Sequence, residues 1–558
     1  VQAPPITLDS PNLRKQRGAF FTPPPIADFL AAWATGGRPD ARVLDPTCGE
    51  AVFLLAAARR LADSGADRST TGDLLHGVDL HHASLERSRA LLKAEGFDAS
   101  LHVGDFFAQP TPAQLGGSLP WMDAVVGNPP FVRYHDHRGQ ARKRSAAAAL
   151  AQGVRLSGLA SSWAALLVHA CSFLKPDGRV ALVLPAELLT VGYAEPLRRW
   201  LRERFASVHL VLFERLQFHD AEEQVVLLVA QGSGGCDALA LHQVRDAAEL
   251  QRLHVFDGVA VAPRAAGKWT DLLLPTERRA LFRRVTARHF VDLGSYGAPE
   301  LGTVTGANPF FTLREATREQ FKISPRELTA IVPPGTKHLR GTRFSQQRWD
   351  QLRAQGERVW LLNPRTDRPR GGLARYIAQG KGLGVHEAYK CTVRSPWWRP
   401  PAVGSPDLFF TYMSHRYPRL IANEAGVGFV NSMHGLVLRE NAPAATRDAL
   451  PLLALNSVSM LGAEVFGRSY GGGILKMEPS EAAVLPVPSP AVLEKAWPSI
   501  EQRQAFLDEL LVAGRWQEVV EEVDEAVLAG AAGIPRADVV ALRSEAARLR
   551  RRRTRKDE

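Results

Sequence analysis

Apolar residues in the first half of the chain fall in short blocks that alternate between two periods. Ile26, Phe29, Leu30 and Trp33 recur at helical spacing behind Pro24 and Pro25, which predicts a helix over residues 24–34. An apolar block at 42–44 predicts a buried strand, and an Ala- and Leu-rich helix follows over 51–61. The order then repeats: strand 75–78, a helix around 83–95, strand 101–103 and strand 124–126. A buried helix over 164–173 and strands at 179–184, 208–213 and 224–230 continue the series. Such alternation predicts an α/β fold with a mostly parallel sheet.

The pattern changes after Gly232, Gly234 and Gly235. Short elements separated by Gly, Pro, Asn and Asp predict a second mixed α/β domain. The expected organisation is a first domain over residues 1–245, a distal domain over 246–535 and a basic helix or tail over 536–558. A helical pattern over 505–529 is broken at Gly514, and the tail gathers Arg548, Arg550, Arg551, Arg552, Arg553, Arg555 and Lys556. Residues 140–158 join Arg142, Lys143 and Arg144 to four alanines. A solvated helix with one charged face and a phosphate-contacting helix both fit that composition. No internal repeat is evident.

Length and charge narrow the class. A chain of 558 residues exceeds what one hydrophobic core usually organises, so at least two domains are expected. Lys and Arg number 69 against 58 Asp and Glu, a net charge of +11 that favours a polyanionic partner. Cys48, Cys171, Cys236 and Cys391 are widely spaced, with no C-x-x-C pair. Neither a zinc knuckle nor a disulfide framework is expected, no metal is assigned, and a reducing cytoplasm fits. Pro4, Pro5, Asp9 and Pro11 interrupt the apolar residues near Val1, so no secretory signal is expected there. No run approaches the ~20 apolar residues of a membrane span.

Candidate chemistry sits where predicted strands end. Asp45-Pro46-Thr47-Cys48-Gly49 follows one strand in a turn that exposes backbone N–H groups. Asp45 can accept hydrogens from an amino-bearing ligand, and Asp79, closing the next strand, can bind ribose hydroxyls. After the third strand, Asp105 can take an adenine amino group and Phe106 can cover its face. Each has a plainer reading as a loop cap or loop packing. No G-x-x-x-x-G-K-[ST] or full G-x-G-x-x-G stands here, which weakens ATPase and dinucleotide readings. Asn128-Pro129-Pro130-Phe131 directly follows the apolar strand ending at Gly127. Asn128 Oδ1 and the Pro129 carbonyl can accept the two hydrogens of an aromatic amine, and Phe131 can stack on its ring. Phe218, between two later strands, is a second stacking candidate or a core residue. No Pro-Cys dipeptide occurs, so a cytosine C5 mechanism through a cysteine nucleophile is not expected. The residues alone leave N6-adenine, N4-cytosine, rRNA-base and glutamine-amide methylation open, together with a non-enzymatic DNA-binding scaffold.

The order Phe20-Phe21-Thr22-Pro23, Asp45-Pro46-Thr47-Cys48-Gly49, Asn128-Pro129-Pro130-Phe131 and then a distal domain resembles the TaqI/Eco57I-like gamma-class N6-adenine-specific DNA methyltransferases. Gly302-Thr303-Val304-Thr305-Gly306-Ala307-Asn308-Pro309-Phe310-Phe311 and Gly471-Gly472-Gly473-Ile474-Leu475-Lys476, with Leu485-Pro486-Val487-Pro488 behind, are similar to segments of their recognition domains. The resemblance implies a Rossmann-like S-adenosylmethionine-binding and catalytic domain, a distal DNA target-recognition domain and a flipped target adenine. It places Phe21 and Thr22 at the methionine part of S-adenosyl-L-methionine, Asp45, Thr47 and Gly49 at the turn around it, Asp79 near ribose and Asp105-Phe106 near adenine. Glu50-Ala51 departs from the pattern, since relatives often carry another glycine before Phe53.

By the same resemblance the partner is double-stranded DNA, in a restriction-modification or host-protection role. The chain is expected to act as a monomer, in the cytoplasm and at the nucleoid. No convincing PD…[DE]xK nuclease constellation precedes the methyltransferase motifs, and a separately encoded endonuclease is compatible with this. Arg142, Lys143, Arg144, Lys390, Arg394, Trp397, Arg399, Arg416 and Lys476 are the DNA-binding candidates, with Trp398, Arg419, Asn431 and His434 nearby. Phosphate contacts would position the duplex, and fewer side chains would read base edges.

Overall fold

The computed structural model describes residues 22–132, 139–158, 160–213, 225–253, 258–262, 268–401, 404–470 and 473–554. Two compact units meet in sequence between Leu273 and Leu274. The first begins with helix α1 (Pro24–Thr35), whose fixed Pro φ suits the first helical turn and which stops at Gly36 in the left-handed region. Ile26, Leu30 and Trp33 line its buried side, as their spacing predicts. There follow β1 (Val43–Asp45), α2 (Val52–Asp63), β2 (Leu75–Asp79), α3 (His82–Ala94), β3 (Ser100–Val103) and β4 (Met122–Gly127). Next come α4 (Gly139–Ala151), α5 (Ser162–Cys171), β5 (Leu174–Pro185), the single turn α6 (Glu187–Thr190) and α7 (Glu195–Arg204). The unit continues through β6 (Ser207–Phe213), β7 (Val225–Gln231), β8 (Leu239–Val244) and β9 (Val259–Val261).

These nine strands form one sheet in the order β3-β2-β1-β4-β5-β7-β6-β8-β9. The five from β3 to β5 are mutually parallel, and β7 runs antiparallel between β5 and β6. Every residue of β4 is buried, and β5 from Val180 to Pro185 and β7 from Val225 to Ala230 are buried too. Such continuous apolar runs, rather than alternation, mark strands covered on both faces. Each fully buried Val or Leu contributes about 1.5–3 kcal/mol of transfer free energy, so these strands dominate the core. The sheet passes residue 245: β9 pairs with β8 and extends the unit.

Among the described residues, the second unit has a five-stranded sheet, two three-stranded sheets and a two-stranded ribbon. Its central sheet runs Gly297–Leu301, His434–Leu438, Leu408–Phe410, Leu420–Asn423 and Arg343–Phe344. Gly514, at φ 80°, separates the helices Gln504–Val512 and Trp516–Asp524, as the pattern over 505–529 predicts. The helix Arg536–Thr554 then closes the described chain. Among the described residues, no single helix is long and apolar enough to cross a membrane.

Candidate active site

Parallel strands that all end on one edge gather the predicted turns there. Asp45 ends β1, Asp79 ends β2, Asp105 follows β3 and Asn128 follows β4. Asp45 is 1% exposed. Its Oδ1 accepts the Thr47 amide at 3.1 Å, closing a turn two residues long. Burial, with Asp79 adding like charge, pushes the Asp45 carboxyl up to about 8. Asp79 ties the neighbouring turns together, accepting the Gly49 amide at 3.0 Å and the His81 amide at 2.8 Å. Thr47 Oγ1 is buried with no hydrogen-bond partner among the described residues. An acid raised by burial and an unsatisfied hydroxyl, side by side, suit a ligand bearing an ammonium and further polar groups.

The other cofactor candidates are more engaged. Asp105 Oδ1 accepts the Phe107 amide at 3.0 Å, and its Oδ2 pairs with Arg144 at 2.9 Å. Phe106 is buried, with its ring centroid 4.9 Å from His169 and 5.2 Å from Phe173. It therefore packs into the core beside the strand end. Burial holds the His169 imidazole below its usual range, and its Nε2 meets the Phe106 carbonyl at 3.1 Å. Phe21 and Phe218 lie outside the described residues. Ala51 adopts φ 59° at the start of α2, a backbone state that disfavours a Cβ. A glycine at this position would carry no such strain.

Asn128 lies against this turn. A Cβ built on Gly127 would sit 2.8 Å from Asp45 Oδ1, so only a glycine lets β4 approach the acid so closely. Asn128 Nδ2 donates to Thr22 Oγ1 at 3.2 Å. Thr22 is itself buried, as is Phe131. The amide is thus oriented by a residue that the family resemblance placed at the cofactor. Cys48, in the same turn, has its thiol pushed up by burial and by Asp45 and Asp79, and burial takes Cys171 up to about 12. Burial thus disfavours the reactive thiolate at both positions.

A cluster that sequence reasoning missed borders the Asn-Pro-Pro-Phe loop. Ser162 Oγ donates to the Pro130 carbonyl at 2.6 Å and accepts the Val132 amide at 3.1 Å. Glu187, just past β5, accepts from Tyr193 OH at 2.6 Å and Trp163 Nε1 at 3.3 Å. The apolar pattern of α5 pointed to core packing alone. The only signal of a further role was the polar pair Ser161-Ser162 opening a buried helix.

In the second unit several candidates are held internally. Arg394 donates to the Val304 carbonyl, and Arg399 pairs with Asp367 at 2.7 Å. Trp397 packs on Phe310 and Trp398, and Lys476 pairs with Glu478 at 2.7 Å. Lys390 and Arg416 are exposed. Arg419 donates to the Leu339 and Arg340 carbonyls. Asn431 Oδ1 accepts Asn308 Nδ2 at 3.1 Å, within the unit. His434 corrects the surface reading: it is 0% exposed, stacks on Tyr412 at 4.3 Å and meets the Met477 carbonyl through Nε2. In the first unit Arg142 is half-buried and Lys143 exposed on α4.

Five parallel strands flanked by an antiparallel β7, with acids and an Asn-Pro-Pro-Phe loop on the carboxyl edge, define a Rossmann-like methyltransferase domain. Two family models match in succession: N-6 DNA Methylase over residues 9–212, and the C-terminal domain of type II methyltransferase M.Eco57I over residues 266–528. The chain belongs to the TaqI/Eco57I-like type II N6-adenine DNA methyltransferases. It is 25% identical over 484 residues to type II methyltransferase M.XamI of Xanthomonas campestris pv. amaranthicola, covering 85% of each protein. It is 20% identical over 482 residues to M.AccI of Acinetobacter calcoaceticus, covering 84% of each. Among solved structures, the type IIL restriction-modification enzyme MmeI in complex with DNA matches at a TM-score of 0.55 and 12% identity. That match covers 94% of this chain and 75% of MmeI, and it speaks to the fold alone.

Proposed function

We infer that this chain is a site-specific DNA adenine N6-methyltransferase that takes its methyl group from S-adenosyl-L-methionine and acts on an adenine turned out of the duplex. One observation carries the reading: Asn128 leaves β4 at the point where Gly127 touches the buried, ligand-ready Asp45. Donor turn and amino-accepting loop are therefore contiguous. S-adenosyl-L-methionine supplies an electrophilic methyl group on a sulfonium sulfur. Asp45 receives the ammonium end, Thr47 and Gly49 line the turn, and Asp79 and Asp105 take ribose and adenine. Thr22, with Phe21 before it, borders the methionine part.

The exocyclic nitrogen of adenine is a weak nucleophile because its lone pair is delocalised into the ring. Asn128 Oδ1 and the Pro129 carbonyl accept its two hydrogens, which favours a more tetrahedral nitrogen with its lone pair directed at the methyl carbon. Asp45, Thr47 and Asp79 would hold S-adenosyl-L-methionine as it supplies the methyl group to this nitrogen, while Asn128 Oδ1 and the Pro129 carbonyl would hold the N6 hydrogens until one is lost to solvent. Close alignment contributes most of the acceleration. The two acceptors also stabilise the positive charge that develops on nitrogen. Phe131, with Phe218, stacks on the base and offsets part of the few kcal/mol that extrusion costs.

In this reading the first unit carries cofactor and chemistry, the second reads the target from Leu274 onward, and the basic helix or tail at 536–558 adds charge. Arg142, Lys143, Lys390 and Arg416 are the first choices for phosphate contacts. The enzyme works as a monomer on double-stranded DNA, protecting host sites from a separately encoded endonuclease. The test is transfer of radiolabelled methyl to unmethylated duplex DNA, followed by nucleoside analysis and base-resolution mapping. Label in N6-methyladenine at one short sequence is expected. DNA binding without any transfer would leave only a scaffold. Asn128→Ala should lower kcat by at least about 100-fold while cofactor affinity changes little. Equal rates for variant and parent would remove Asn128 from the chemistry.

A further inference from the structure

The backbone of the loop that presents Asn128 is fastened from outside by Ser162. Ser162 Oγ donates to the Pro130 carbonyl at 2.6 Å and accepts the Val132 amide at 3.1 Å, and the Ser162 amide donates to the Val132 carbonyl at 3.0 Å. The first two bonds fix the peptide planes on either side of Phe131, and so fix where its ring can lie. They also reach the Pro129 carbonyl. The ring of Pro130 locks its φ, so anchoring the Pro130 carbonyl sets the one remaining torsion between it and the preceding peptide. A single hydroxyl therefore constrains both the stacking ring and the backbone acceptor.

Ser162 is itself held in place. It opens α5 between two residues that converge on Glu187: Trp163 Nε1 at 3.3 Å and Ser161 Oγ at 3.5 Å. Tyr193 OH completes the set at 2.6 Å. Ser161, Ser162 and Trp163 are all buried, so water does not compete for these bonds. Helix α5 follows the loop and precedes β5, and Glu187 opens the turn α6 two residues past that strand. The cluster thus ties the start of α5 to the end of the strand beside β4.

We propose that Ser162 is a positioning residue for methyl transfer, its hydroxyl holding the Pro129 carbonyl and the Phe131 ring in register with the target amine while the Glu187 cluster anchors the helix that carries it. This rests on the reading of Asn128, Pro129 and Phe131 as the amino pocket. Ser162 touches neither substrate nor cofactor in that arrangement, so its removal should act on the rate rather than on cofactor binding.

The experiment measures single-turnover methyl transfer by the full chain on unmethylated genomic DNA made by amplification, with calorimetric S-adenosyl-L-methionine affinity and a melting curve for each variant. Ser162→Ala should lower the rate by about 10- to 100-fold, the scale of a small misplacement at a reacting centre, with cofactor affinity within about twofold of the parent. Ser162→Thr, which keeps the hydroxyl, should recover most of that loss. A parental rate for Ser162→Ala overturns the proposal. So does a loss that tracks cofactor affinity and melting temperature and is not rescued by threonine, because that is the signature of a merely structural contact. If the serine variants do not fold, Tyr193→Phe removes the shortest bond to Glu187 and leaves Ser162 intact. It should slow transfer by about threefold or more at parental cofactor affinity, the scale of one lost hydrogen bond, and a parental rate again overturns the proposal. Asn128→Ala, run in parallel, separates the two ideas. If it is inactive while Ser162→Ala is parental, only the clamp fails; if Asn128→Ala is fully active, the pocket reading fails with it.

Discussion

Asp45 is the candidate-site carboxylate whose charge state burial changes. Burial lifts its carboxyl from 3.8 to about 8. Between those values the folded protein keeps a proton that the unfolded chain has lost. Raising the pH through that window therefore removes stability, and above about 8 the loss is complete. An ammonium beside Asp45 reverses the balance by favouring the ionised form. Binding of S-adenosyl-L-methionine at pH 6.5, where its amino group is still charged, should release up to about one proton per site. Calorimetry in two buffers of different ionisation enthalpy reads this directly. Asp45→Asn should abolish the release and weaken binding, and identical heats in both buffers for the parent would sink the assignment. The sequence placed Asp45, Thr47 and Gly49 correctly at a strand end, because a polar turn after an apolar block is a local signal. It could not show that Thr47 Oγ1 lacks a partner among the described residues or that Gly127 abuts Asp45, since both depend on tertiary packing, the second on strands β1 and β4 being neighbours.

At the scale of elements, the terminal helix shows how a charge run can mislead. Val539, Leu542, Ala546 and Leu549 are buried at alternating spacings of three and four, and the next position on that stripe is Arg553. Its guanidinium is buried, pairs with Glu464 at 2.7 Å and donates to the carbonyls of Gly473, His415 and Arg416. Glu464 is raised by burial, and Arg553 opposes that shift. Removing one member of such a pair leaves a buried charge uncompensated. Arg553→Ala should destabilise the protein by about 3–5 kcal/mol in denaturant unfolding. Arg551→Ala, on the exposed side of the same helix, should stay within about 0.5 kcal/mol. Equal effects would show that the helix does not use its faces differently. The Arg550–Arg553 run reads as one basic patch in sequence, and helical periodicity divides it.

For the whole molecule the net charge of +11 dominates the long-range attraction to DNA. Affinity should fall steeply with salt, as phosphate contacts displace condensed cations. Replacing Arg142 and Lys143 together by alanine should lower the slope of log affinity against log salt by about one per lost phosphate contact, equally for all DNA sequences. An unchanged slope would assign α4 to a role away from the backbone. Arg144 is left out of this test because it pairs with Asp105. The distal candidates were less legible. Arg394, Trp397, Arg399 and Lys476 look like an open basic and aromatic surface in sequence, yet each is engaged within its own unit.

The sequence by itself determined most of the strands and helices from α1 to β7, the two polar turns proposed to carry the chemistry and the family to which the chain belongs. Each is written in contiguous residues: an apolar period, a proline or glycine at a boundary, a four-residue motif at a strand end. Only the tertiary structure decided which strand ends stand together, that β7 returns antiparallel between β5 and β6, that His434 is core, and that Ser162 and Glu187 brace the loop of Asn128. Those facts rest on contacts between residues far apart in the chain. Burial, desolvation and hydrogen-bond satisfaction are fixed by packing, which no local window of sequence contains.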